Sequence, residues 1–271
     1  MRKFIAILVH FLMVEVSAQD STDFRHLRTL RGDFTSFTVD NLGNIYVITR
    51  GNQLRKYNAS GDSMGVFNDV RRYGKLTQID ASNPLKTILF YRDFKTVVVL
   101  DRLMNLVNTI DLRKHQLFQV KVVAQSYDNK IWLFDEQESR LLKLSDEGRL
   151  LGETAELRLV LDEAPAPSCI FDRNGFVYLY DMQAGLFVFD YYGALKNKVR
   201  IEGWSHVQVI GNVVYGKKEG RLMRFVTGTL QIYETIMPAF MQHADDMMVS
   251  SEGVYVLLPF GISFYGFNKA G

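Results

Sequence analysis

At 271 residues, with 47% hydrophobic and 23% charged residues, the chain has ordinary globular composition and room for one large domain or two small ones, which excludes a disordered polymer. A formal net charge of +2 is too near zero to point to nucleic acid. The 19 Phe and 13 Tyr favour sheet, and only 5 Pro argue against long linkers.

The chain opens with Arg2-Lys3, an apolar run over 4–14, and small residues at Val16-Ser17-Ala18. That order predicts an export signal over residues 1–18, cut after Ala18, with the mature chain over 19–271. The apolar run falls short of the roughly 20 residues that span a bilayer, and Glu15 interrupts it, so no transmembrane helix is expected in the mature chain. The single cysteine, Cys169, has no internal partner and reads as a buried thiol.

Residues 33–62 carry three short apolar runs, 37–39, 45–48 and 54–57, separated by Asp40-Asn41-Leu42-Gly43-Asn44 and Arg50-Gly51-Asn52. β-Branched and aromatic runs divided by Gly, Asn and Asp turns predict an antiparallel meander. The phrase returns five times. Taking Tyr46, Leu89, Trp132, Tyr178, Tyr215 and Tyr255 as equivalent, the spacings are 43, 43, 46, 37 and 40 residues, the period of a four-stranded blade. A fourth run follows in five copies, at 63–67, 106–110, 150–154, 195–201 and 230–236. The sixth copy lacks it, while 25–31 stands unmatched at the other end. The expected fold is all-β, a six-bladed β-propeller of four-stranded antiparallel blades, its ring closed by the N-terminal strand pairing with the last blade, with Leu27 and Leu30 packed inward. Trp132 is expected in the core between blades.

The phrase V-D-N-L-G-N-I-Y-V at 39–47, echoed by F-D-R-N-G-F-V-Y-L at 171–179, resembles propellers of the NHL-repeat, YWTD and TolB-like group, and exported propeller proteins of Bacteroidota. The resemblance covers nearly all of the mature chain and implies architecture. Neither the YWTD tetrapeptide nor regular Trp-Asp endings occur, so no family site residues transfer.

Several residues are candidates for function. His115, His206 and His243 precede inner strands of blades three, five and six, where they could converge on an axial metal. Zinc-holding NHL-type lyases and calcium-holding lactonases give that reading, a metal-dependent lyase or lactonase at the channel mouth. Asp40, Asp80, Asp128 and Asp172 recur beside the first turn of their blades and read as turn formers. No nucleophile elbow, P-loop or dinucleotide fingerprint occurs.

The loops between second and third strands, and those between blades, share one face of a propeller. On it fall Arg50, Arg71, Arg72, Arg92, Lys95, Arg113 and Lys114, with Tyr73 and Phe94, opposite Asp135, Glu136, Glu138, Asp162, Glu163 and Asp181. Blade five adds Trp204 beside His206. Arginines and aromatics anchor interfaces. The expected function is that of an exported, non-enzymatic protein-binding platform in the cell envelope, periplasmic or outer-membrane-associated. The partner would be an acidic segment of an envelope protein or an anionic lipid headgroup, and not nucleic acid. A carbohydrate- or peptidoglycan-binding propeller, using Trp132 or Trp204 as a platform, is the other alternative.

Overall fold

The computed structural model describes residues 24–161, 164–229 and 231–268. The expected export signal lies outside them, as do Asp162 and Glu163. Among the described residues no helix is long and apolar enough to cross a membrane.

Among the described residues, twenty-four strands form six sheets of four. Five are simple meanders: in blade one the strands Phe34–Val39, Ile45–Thr49, Leu54–Tyr57 and Ser63–Phe67 follow one another outward. The first strands of the six blades neighbour one another in cyclic order and so form the inner wall of a ring. Alternation along each strand aims one row of side chains at each neighbouring sheet. The core is accordingly six separate apolar clusters, one in each gap between blades.

Blade six takes its outer strand from the start of the chain. Phe24–Arg31 pairs antiparallel with Gly261–Phe267, from Phe24 opposite Phe267 to Arg31 opposite Gly261. Leu30 packs partly buried in the cluster between blades six and one. Leu27 does not point inward as expected: the register shifts between His26 and Arg28, which turns Leu27 out to solvent.

The gaps also hold polar locks. Gln78 of blade two donates from Nε2 to Val123 O (2.6 Å) and accepts from Val123 N (3.2 Å) in blade three. Gln208 of blade five repeats this against Met247 O and Val249 N of blade six, both at 2.9 Å. Trp132 is buried between blades three and four as expected, and its Nε1 donates to Asp172 at 2.8 Å.

Candidate functional site

The loops between blades and between second and third strands share one end of the ring, and a basic rim occupies it at blades one to three. The helix Val70–Tyr73, in the connection from blade one to blade two, presents Arg71 and Arg72 to solvent. Lys75 follows it, Arg92 sits in the second-to-third strand turn of blade two, and Lys114 rides the 3-10 turn Leu112–His115. None of these five has a carboxylate within ion-pair distance among the described residues. Arg50 and Arg113 differ. Arg50 holds Asp33 at 2.8 Å, and Arg113 makes a two-point contact with Asp111 at 2.8 and 2.9 Å. Both guanidinium groups are thereby partly neutralised, and each carboxylate favours the protonated state of its arginine.

Two phenylalanines are exposed in the same connections, Phe94 at 45% in the turn that holds Arg92 and Phe118 at 52% in the connection that holds Lys114. Phe94 lies over Gly74: a Cβ there would come within 2.6 Å of its ring, and the backbone φ of +76° also demands glycine. Asn52 fixes the same segment. Its Nδ2 donates to Gly74 O at 3.1 Å and its Oδ1 accepts from Leu76 N at 3.1 Å. The rim is therefore braced by a residue with no charge of its own. Its sequence signal was an asparagine in the Arg50-Gly51-Asn52 turn, where φ is +60°.

Two residues expected on this surface are core. Tyr73 is 4% exposed, its hydroxyl 3.0 Å from Thr109 Oγ1 and its ring beside Tyr91. It pins the helix between blades one and two, and the Arg72 guanidinium lies over its ring at 5.0 Å. Trp204 is 2% exposed between blades four and five, where its backbone N and O bond the Tyr180 hydroxyl at 2.7 and 2.9 Å. Gly216 leaves the space for its indole. With Trp132 also buried, neither indole offers a flat platform for a sugar.

The acidic crescent opposite is weaker than the sequence suggests. Asp135 and Asp181 are buried loop formers, Asp181 accepting from Ala166, Gln183 and Ala184 N. Burial pushes the Asp135 carboxyl above its usual range. Glu136 faces Lys121 at 2.9 Å, which leaves Glu138 exposed.

The axis holds a cavity of about 800 Å³, lined by the inner strands. His206 and Asp246, from the inner strands of adjacent blades, both line it and pair with each other, Nδ1 to Oδ1 at 2.9 Å, with His206 in a left-handed bulge at φ +50°. His115 lies elsewhere, over Gly148 in blade three, and His243 is exposed after the helix Ala239–Gln242. The three histidines do not converge: only His206 of the three lines the axial cavity. Among the described residues no three His, Cys, Asp or Glu side chains are grouped to hold a metal ion. Burial raises the Cys169 thiol above its usual range, and its side chain packs toward blade five.

Asp172 is not the local turn former expected. Buried, it accepts from Ser126 Oγ (2.9 Å), Tyr127 N (3.1 Å), Trp132 Nε1 (2.8 Å) and Tyr191 Oη (2.6 Å). It locks blade four onto blade three. Asp40 does bond its own turn, through Leu42 N and Asn44 N at 2.9 Å.

No protein-family model matches the chain, and no curated protein is significantly similar to it. Solved structures share its architecture. Virginiamycin B lyase from Staphylococcus aureus is 11% identical, with 90% of this chain and 98% of that one covered and a TM-score of 0.61. BamB from Moraxella catarrhalis is 12% identical over 89% of this chain and 84% of that one, with a TM-score of 0.52. The extracellular domain of the putative hybrid two-component system BT3049 from B. thetaiotaomicron is 12% identical over 93% of this chain and 38% of that one, with a TM-score of 0.58. At such identities the likeness is one of fold.

Proposed function

We propose that the protein is an exported, non-catalytic propeller that docks an acidic segment of a partner protein on its basic rim. The observation that carries this reading is the set of unpaired cations, Arg71, Arg72, Lys75, Arg92 and Lys114, with exposed Phe94 and Phe118 in the same connections. Cations already satisfied by neighbours add little to binding, whereas unpaired guanidinium groups offer forked contacts to carboxylates. The phenylalanines supply the apolar area that charge alone lacks. Membership of the NHL- and TolB-like group, likeness to exported Bacteroidota propellers, and a place in the cell envelope belong to the same reading. The basic first residues with their apolar run support it, as does the extracellular domain among the fold neighbours.

The test is partner capture by crosslinking from the native envelope, comparing wild type with Arg71→Glu, Arg72→Glu and Arg92→Glu combined. The triple variant is expected to lose a partner that wild type releases as salt rises, since screening shortens from about 10 Å at 0.1 M to about 3 Å at 1 M. The control reverses Lys196 and Lys198 on the outer strand of blade four. Equal loss in both variants, or capture of an uncharged ligand unaffected by salt, would sink the rim reading. Stoichiometric zinc or calcium in the purified protein would instead favour the lyase or lactonase alternative.

A further inference from the structure

An outer strand of a propeller blade exposes one row of unpaired backbone N–H and C=O groups, and such edges invite pairing unless they are blunted. Five of the six outer ladders here are broken by a register shift. Charge blunts two of these edges further, through Lys196 and Lys198 in blade four and Arg25 and Arg28 in the closing strand. Blade five differs. Its outer strand, Ile232–Ile236, pairs with Arg221–Val226 without a shift, all five of its residues are exposed, and it carries neither lysine nor arginine.

The polarity of this edge follows from its ladder. Met237 N donates to Gly220 O at 3.1 Å, so alternation turns the backbone groups of Tyr233 and Thr235 inward and those of Ile232, Glu234 and Ile236 outward. The same alternation puts the side chains of Ile232, Glu234 and Ile236 on one face. Both isoleucines are exposed, and Glu234 between them meets Arg221 through one oxygen at 3.1 Å, a half-exposed single-point pair that contributes little and leaves the other carboxylate oxygen open to an incoming cation. The edge therefore reads apolar, acidic, apolar.

We propose that this edge is a second docking site, one that receives an extended segment of a partner protein as a fifth strand on blade five. The segment has a lysine or arginine opposite Glu234 and apolar residues two positions to either side, opposite the isoleucines. Main-chain bonds to Ile232, Glu234 and Ile236 hold the strand and the central charge sets its register. A second copy of this chain is a poor occupant. The two-fold register that uses all three outward residues sets Glu234 against Glu234, and like charges directly opposite are destabilising.

The experiment uses the mature chain and a short blocked peptide of sequence threonine–valine–threonine–lysine–threonine–valine–threonine, followed by fluorescence anisotropy and amide hydrogen exchange. Binding is expected to slow exchange at Ile232, Glu234 and Ile236 and not on other outer strands. Glu234→Lys is expected to weaken the lysine peptide about tenfold and to strengthen a peptide with central glutamate, the exchange of preferences that charge complementarity requires. Ile236→Pro, which removes an outward N–H and leaves the inner ladder intact, is expected to abolish both. Binding without protection of these amides, equal effects of Glu234→Lys on both peptides, or concentration-dependent dimerisation through this strand would overturn the proposal. So would the absence of binding by a wild-type protein shown to be folded.

Discussion

Asp172 draws four donors from two blades onto one buried carboxylate, and its removal takes that shared acceptor from all four. Asp172→Ala is expected to cost about 3–5 kcal/mol in urea unfolding, as for a broken buried charge network. Trp132→Phe keeps most of the ring but loses one bond, and should cost about 1–3 kcal/mol. The double variant should fall short of the sum, because both changes strike one network. The buried tyrosines set the alkaline limit. Burial raises Tyr180 to about 12, while an unfolded tyrosine ionises near pH 10. Between those values the unfolded chain releases a proton that the folded chain keeps. Stability from this group is thus complete below about pH 10 and declines as pH rises toward 12. Unfolding midpoints at pH 8 and pH 11 should show the decline, with a shallower slope in Tyr180→Phe.

At the scale of the element, the closing strand depends on one glycine. A Cβ at Gly261, where φ is +141°, would stand 2.2 Å from Leu30 O on the strand paired beside it. Gly261→Ala should therefore displace Phe24–Arg31 and lower stability by several kcal/mol, whereas Gly175→Ala, with open space around it, should cost about 1 kcal/mol for its backbone strain alone. Calorimetric melting of both variants checks the contrast. The blades were legible in the sequence because a meander writes itself locally, in apolar runs and in turns such as Asp40-Asn41-Leu42-Gly43-Asn44. The missing strand of blade six was legible from the surplus run at 25–31. Exposure within the loops was not legible, because residues far along the chain decide it. Tyr73 is drawn inward by Thr109, and Trp204 by the space at Gly216. A trace of the second existed: Gly216 interrupts the strand Val213–Lys218, and a strand glycine marks close approach of another group. The fourfold role of Asp172 left no local trace at all, since Trp132 and Tyr191 lie on either side of it in sequence at blade-length and shorter distances.

For the molecule as a whole, the docking function proposed for the loops separates from stability placed between blades. Reversing Arg71, Arg72 and Arg92 together should change unfolding free energy by less than about 1 kcal/mol, because exposed charges without partners contribute little. A large loss in that variant would mean that the rim braces the fold. The ring also joins its own ends. Phe24 and Phe267 lie opposite each other in one ladder with their rings 5.6 Å apart, so anything fused before the first or after the last blade emerges from the same corner. A load pulling those two points apart meets the closing ladder from its end. It opens the hydrogen bonds one at a time, as a zipper opens, and the five other blades feel tension only after the sixth has given way. The molecule should yield at low force under such a load, and circular permutation that moves the opening into a loop of another blade should make it mechanically stiffer without altering a single side chain of the core.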